Sequence, residues 1–218
     1  MLSPSLENEA SMQQAALRQF VVSGQHQPQI YGLQWGDPRR DRHLQEVVEH
    51  ALIPYVPSSG GTIVETGAGG GRWSRELIGR AARLILVDGE PLFEQAIRRH
   101  TDCRSVEFVV SLDGTFPTIA DASVDFVFSF DTFVHFHNEL FDRYLTSIGR
   151  ILTPGGFLTL HYAHYYPDLP DHNADHFNYR RDEDVADVLA QHQLRLTGAQ
   201  IDFKMGWGSK LVVAKKGW

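Results

Sequence analysis

The sequence predicts an α/β fold, a mostly parallel sheet covered by helices on both faces. Three observations predict it. Short apolar runs alternate with amphipathic stretches from residue 62 to residue 203. A glycine-rich turn joins the first strand to its helix, at the place where such sheets bind ligands. The last two apolar runs are separated only by residues 204–209, too short for a crossover, so they form an antiparallel hairpin at one end of the sheet.

Residues 1–30 are polar, with Leu6, Ala10, Leu17, Phe20 and Val21 marking one helix as an N-terminal extension; the main domain spans 31–218. A loop, YGLQWGDPRR, leads to a helix over 38–52 with Asp37 as its cap and Pro38 at the first helical position. The breaker PYVPSSGG precedes a strand over 62–65. The turn at 67–71 opens a helix over 72–83. A strand over 84–87 ends at Asp88, and Pro91 opens a helix to residue 100. Strands follow at 106–110 and 124–130. A helix over 138–152 is stopped by the turn TPGG, and a strand occupies 157–161. Asp182 caps a helix through Val185, Val188 and Leu189, and strands at 200–203 and 210–214 close the chain.

The chain has 218 residues, one cysteine and a net charge of −7. The negative balance disfavours nucleic acid as a partner, which calls for a basic surface. No apolar run reaches the roughly 18 residues of a membrane span. Cys103 has no partner for an internal disulfide, which fits a cytoplasmic protein, and nothing marks it as an activated nucleophile.

The chemical signal is TIVETGAGGGRW, a strand running into Glu65-x-Gly67-x-Gly69-x-Gly71 and then a helix. The dinucleotide fingerprint G-x-G-x-x-G fails in both registers, because Arg72 and Ser74 stand where its third glycine belongs. Asp88 ends the next strand, placed to accept hydrogen bonds from the ribose of a nucleoside cofactor. Alone, such an aspartate is more often an ordinary strand-end residue; beside the glycine turn it reads as a ligand.

These residues resemble the class I S-adenosylmethionine-dependent methyltransferases over about residues 30–215. LILVD matches that family's second motif, SLDGTFPTIADASVDFVFSFD its third and fourth, and ILTPGGFLTL the approach to its fifth strand. The resemblance implies a Rossmann-like seven-stranded sheet of order 3-2-1-4-5-7-6 with strand 7 antiparallel. It also implies S-adenosylmethionine as cofactor. Gly67, Ala68 and Gly69 would approach the cofactor's amino acid part, with Glu65 organising the turn and the amine. Asp88 would bind the ribose; Asp113 and Gly114 would sit at the adenine, with Leu112 and Gly89 packing on the ring. Phe130 and Asp131 would face the methionine and the acceptor.

Phe126, Phe128 and Phe130 alternate and share one sheet face, a core pattern. F-D-T-F stands where methylases of nucleic acid bases carry N-P-P-Y or D-P-P-Y. A hydroxyl acceptor needs a base, and histidine titrates near neutrality. Six histidines lie between residues 135 and 176: His135, His137, His161, His164, His172 and His176. Of these, His135 and His161 follow strand ends beside the methyl donor. His135 is the first choice for base, Asp131 the residue that orients it or binds acceptor, and His161 the second choice. The run FSFDTFVHF and the segments LHYAH and YGLQWGD resemble bacterial sugar and polysaccharide O-methyltransferases. That implies a small-molecule or glycan acceptor, with 171–184 carrying contacts to it.

Some sugar methyltransferases use Mg2+ across two acceptor oxygens, and Asp131 would supply a carboxylate for it. No spacing points to a structural zinc site. Trp35, Trp73 and Trp218 read as packing or terminal residues, whereas Trp207, between two glycines, would flank the acceptor pocket. PRRDR and NYRRDED read as solvated helix termini. Homo-oligomerisation is left open by the sequence, as is a catalytically silent cofactor-binding role.

Overall fold

The computed structural model describes residues 30–100, 106–169, 177–204 and 208–217. The proposed N-terminal helix, Cys103, His172, His176, Trp207 and Trp218 lie outside them. Seven strands form one sheet: β1 (Thr62–Thr66), β2 (Arg83–Asp88), β3 (Val106–Val110), β4 (Val124–Ser129), β5 (Leu152–Ala163), β6 (Leu194–Phe203) and β7 (Ser209–Lys216). Their order is β3-β2-β1-β4-β5-β7-β6. β1 to β5 pair in parallel, while β7 runs antiparallel to both β5 and β6. The implied order and the terminal hairpin are both observed.

Alternation along the strands splits the core in two. On one face, Val64, Ile85, Val127, Leu158 and Val212 meet Phe141, Leu145 and Ile148 of α4 (Asn138–Ile151) and Val185 and Leu189 of α5 (Asp182–Gln191). On the other, Ile63, Leu86, Phe126, Phe128 and Leu211 meet Leu44 and Val47 of α1 (Arg42–Val47), Leu77 of α2 (Ser74–Leu77) and Ile97 of α3 (Leu92–His100). Phe126, Phe128 and Phe130 do share that face, and Trp73 packs on the last two at 5.2 and 4.7 Å between ring centroids. Among the described residues, no helix is long and apolar enough to cross a membrane.

Several element boundaries differ from the sequence expectation, each for a local reason. The helix expected over 72–83 is regular only through Ser74–Leu77, because Gly79 turns left-handed at φ +88° and breaks it. The helix expected from residue 38 starts at Arg42. Residues 37–41 form a turn first, with the Arg40 and Asp41 N–H groups both bonded to the Asp37 carbonyl. Asp41, not Asp37, is the N-cap residue, and Val48–Leu52 continues as a wider π turn. TPGG does not interrupt the chain as a turn. β5 starts directly after α4 and runs through it, absorbing Gly155 at φ +85° beside a register shift against β4. Asp182 is the first residue of α5 rather than its cap, and Arg181 holds the cap position. The Asp182 carboxylate is drawn instead to the Tyr162 hydroxyl (2.6 Å) and the buried Lys210 ammonium (2.5 Å). β6 starts at Leu194, six residues earlier than expected, and carries a bulge at Gly198 (φ +90°).

Candidate cofactor and acceptor site

β1 delivers the chain into the glycine turn at the carboxyl edge of the sheet. Gly67, Gly69 and Gly71 adopt φ of +74°, +51° and +92°, a region side chains rarely enter. Gly67 also admits close contact, since a Cβ there would lie 1.8 Å from Thr132 Oγ1. Its N–H donates to the Val87 carbonyl at 2.8 Å, which ties the turn to β2. Ala68 is buried at the bend. Glu65 is buried beneath it and accepts from Ser74 Oγ at 2.6 Å. Burial pushes its carboxyl up to about 8, so near neutrality Glu65 is mostly protonated and anchors the start of α2.

Asp88 closes the other side of the turn. Its carboxylate accepts from the Gly69 N–H (2.8 Å) and the Glu90 N–H (3.0 Å). Burial pushes Asp88 up to about 6. At Gly89 a Cβ would sit 2.9 Å from Leu112 Cδ2, so the half-exposed Leu112 leans over bare backbone. That leaves a narrow apolar shelf beside Asp88, the shape a flat ring needs. Asp113 accepts from Thr115 N (3.0 Å) and Thr115 Oγ1 (2.6 Å), and Arg143 Nη2 lies 3.2 Å away. Burial opposes ionisation there, but Thr115 and Arg143 outweigh it and hold the carboxyl below its usual range. Gly114 has a packing cause: a Cβ would meet Tyr144 Cδ2 at 2.7 Å.

The acceptor side is built around Asp131. Phe130 stacks on His161 at 4.1 Å and 9°, and Phe203 meets both rings edge-on. Asp131 then adopts a left-handed φ of +57°. Its carboxylate pairs with the Arg72 guanidinium, while His161 Nδ1 lies 3.2 Å from Oδ1. The neutral His161 ring accepts the Asp131 N–H at Nδ1 (3.1 Å) and faces Ser209 Oγ with Nε2 (2.8 Å). A protonated ring would donate to Asp131 Oδ1 instead, so Asp131 serves both forms. Burial opposes ionisation of Asp131, yet His161 and Arg72 hold its carboxyl far below the usual range.

His135 sits on a single 3-10 turn, Phe133–His135, with its ring against Phe177 at 5.2 Å. That turn is pinned from outside. The Asn178 N–H donates to Val134 O, Asn178 Nδ2 to His135 O and Arg180 Nη2 to Phe136 O, at 2.8 to 2.9 Å. The structure thus joins Asp131 to His161, while His135 stands on a separate, half-buried turn.

Two residues escaped the sequence reading, and a third, Tyr31, entered it only as part of YGLQWGD, the segment whose resemblance implied closure over the cofactor. Arg72 figured there only as the residue that spoils a fingerprint, yet it carries the ion pair to Asp131. Glu90 is buried and accepts the Leu92 N–H at 3.0 Å, an Asx-like brace of the Asp88 loop; its place just before Pro91 was the available signal. Tyr31 packs on the bend at Gly69 and Gly70, in T-shaped contact with Trp35, and burial and Asp88 push its hydroxyl up to about 12.

The glycine cradle, the Leu112 shelf and the Asp88 carboxylate fit a nucleoside with an amino acid tail. The magnesium expectation finds no support: among the described residues no group of three or more His, Cys, Asp and Glu can hold a metal. Arg72 lies against the Asp131 oxygen that a cation would need.

Residues 63–156 match the family model described as a methyltransferase domain. No curated protein matches the chain in sequence. Solved structures share the fold. The 1,6-didemethyltoxoflavin-N1-methyltransferase of Burkholderia thailandensis, with S-adenosylhomocysteine bound, is 18% identical with a TM-score of 0.67, covering 100% of this chain and 92% of that one. A Haloferax volcanii protein in complex with the Trm112 methyltransferase activator is 22% identical with a TM-score of 0.67, covering 86% and 95%. An S-adenosylmethionine-dependent methyltransferase of Methanosarcina mazei is 14% identical with a TM-score of 0.64, covering 77% and 98%. The chain therefore has the Rossmann-like fold of these solved methyltransferases, and its residues 63–156 are similar to a methyltransferase domain.

Proposed function

We propose that the protein transfers a methyl group from S-adenosylmethionine to an oxygen of a small hydroxylated acceptor, a sugar or glycan. The observation that carries the cofactor reading is the glycine turn tied through Gly69 to Asp88 at the carboxyl edge of the sheet. When bound, the cofactor supplies an activated methyl, so the chain's own residues need only hold the acceptor in line and remove its proton. His135 is the base in this reading, because the two nitrogens of His161 already face Asp131 and Ser209 and its ring is buried. Asp131, a third exposed at its side chain, receives an acceptor hydroxyl. The sugar assignment rests on the resemblance of FSFDTFVHF and LHYAH, and the cytoplasm is the expected compartment.

The Burkholderia neighbour acts on nitrogen, which favours a nitrogen acceptor as second reading. The activator in the Haloferax complex points to a protein partner as a further possibility to test. The deciding measurement is methyl transfer from labelled S-adenosylmethionine to a panel of sugars and amines, with wild type and His135→Ala. Transfer to a sugar that His135→Ala lowers by about 100-fold or more, with S-adenosylhomocysteine affinity retained, supports the reading. Transfer only to amines, or an unchanged rate in the variant, overturns it.

A further inference from the structure

The segment NYRRDED reads in sequence as a solvated helix terminus, yet its Arg180 is 7% exposed. Among the described residues no carboxylate pairs with it, and Asp184 acts on its charge only at longer range. A cation buried without a paired counter-ion is costly, so its hydrogen bonds show what holds it there. Nη1 donates to the Asn178 carbonyl at 2.9 Å. Nη2 donates to the Phe136 carbonyl at 2.8 Å and lies 3.1 Å from Asn138 Oδ1, at the start of α4. The guanidinium carbon stands 4.0 Å from the Phe141 ring centroid. The Arg180 backbone is fixed to the end of β5, its N–H donating to Ala163 O at 2.9 Å and its carbonyl accepting from Tyr165 N at 3.0 Å. Arginine's flat fork of five donors serves carbonyls of two segments at once, which the point charge of a lysine cannot.

What the fork holds is the turn that carries His135. Three successive carbonyls, of Val134, His135 and Phe136, accept from Asn178 N (2.8 Å), Asn178 Nδ2 (2.9 Å) and Arg180 Nη2. The bonds that close the turn itself are longer, His135 N to Thr132 O at 3.1 Å and Phe136 N to Phe133 O at 3.3 Å. One turn of 3-10 helix does not stand by itself in water. Its shape, and with it the direction in which the His135 side chain leaves the backbone, is set by residues 178 and 180. The ring then meets Phe177 of the same segment edge-on. Residues 177–180 lie within 171–184, the stretch that the sequence resemblance gives to acceptor contacts.

We propose that Asn178 and Arg180 are positioning residues for the methyl transfer, a clamp that aims the His135 imidazole at the acceptor. This rests on the reading of His135 as base, and the two fail in different ways.

Four proteins test the clamp: wild type, Asn178→Ala, His135→Ala and the double variant. Asn178→Ala deletes the bond to His135 O, keeps the N–H to Val134 O and leaves the imidazole in place. Rates are taken with labelled S-adenosylmethionine and whichever sugar or amine of the panel the wild type methylates. Asn178→Ala should lower kcat by about 10-fold or more in the wild type and by no more than about twofold in the His135→Ala background, where nothing is left to position. S-adenosylhomocysteine affinity by calorimetry should stay within about twofold. The proton NMR signal of the His135 ring, assigned by its loss in His135→Ala, should move in Asn178→Ala as its place beside Phe177 changes. The signal of His192, bonded to Asp142, should stay. Arg180→Lys keeps the buried charge, loses the fork and should act as Asn178→Ala does; if it fails to fold, Asn178→Ala still decides. Equal losses in both backgrounds, no loss in the wild type, a parallel fall in S-adenosylhomocysteine affinity or an unmoved His135 signal overturns the clamp. A His135→Ala enzyme as fast as the wild type overturns the base reading instead, and a panel in which nothing is methylated overturns the activity; either removes the clamp's task with it.

Discussion

The Gly69 N–H donates to Asp88 Oδ2 at 2.8 Å, so the glycine turn and the acid at the end of β2 are one hydrogen-bonded unit. Burial raises this carboxyl to about 6. Ribose hydroxyls donate to the ionised form, so S-adenosylhomocysteine affinity should be full above pH 7 and fall as the pH drops through about 6. Asp88→Asn should weaken binding by roughly 10- to 100-fold and flatten that profile. Calorimetry at several pH values checks both; a pH-independent wild type with unchanged Asp88→Asn affinity removes the ribose role.

Glu65 gives a pH signature in stability rather than binding. Its folded value of about 8 lies above the ordinary 4.5. Between those values the folded state holds the proton and the unfolded state does not, so stability falls as pH rises through the window. Glu65→Gln keeps the contact with Ser74 and should remove the decline. Urea midpoints at pH 7 and pH 8, above the range in which Asp88 titrates, should therefore diverge for wild type and converge for the variant.

Gly67 and Gly79 isolate the contribution of the clash with Thr132. Both have positive φ, +74° and +88°. A Cβ at Gly79 meets nothing within 4 Å, whereas one at Gly67 runs into Thr132. Gly79→Ala should cost about 1–2 kcal/mol, the backbone strain alone. Gly67→Ala should cost clearly more and distort the cofactor cradle. Equal losses in denaturant unfolding would show that Thr132 gives way freely.

Lys210 is a structural cation. It lies buried between Asp182 (2.5 Å) and Asp202 (3.5 Å), which also receive the Tyr162 and Tyr166 hydroxyls. Both carboxylates are partly exposed and stay hydrated when the lysine is removed. Lys210→Met should then cost about 1–3 kcal/mol. Arg98→Met, which breaks the exposed pair with Glu94, should cost no more than about 0.5 kcal/mol. Thermal unfolding of the two variants checks the ranking.

Much of the fold and part of the site are legible in the sequence. β3 lies where its apolar run ends, the hairpin of β6 and β7 follows from its short connection, and Asp88 caps the strand that predicted it. Those features are written in spacings of a few residues, which the backbone obeys locally. The early stop of α2 at Gly79 was legible in principle, since glycine is the residue a helix end favours, but the apolar pattern running on to residue 83 masked it. The passage of β5 through TPGG was not legible, because pairing with β4 and β7 overrides a turn sequence.

The chain alone therefore settled the strand–helix alternation, the terminal hairpin, the glycine bend and the acid beside it, since each is a matter of local pattern and short connections, while the full strand order came from the resemblance. Folding alone decided which charges meet. Arg72 and Asp131 stand 59 positions apart, and His161 lies a further 30 along the chain. Only the parallel packing of β1, β4 and β5 brings their ends to one edge, where Arg72, which the sequence did not single out as a site residue, joins Asp131 and His161 in a single polar cluster.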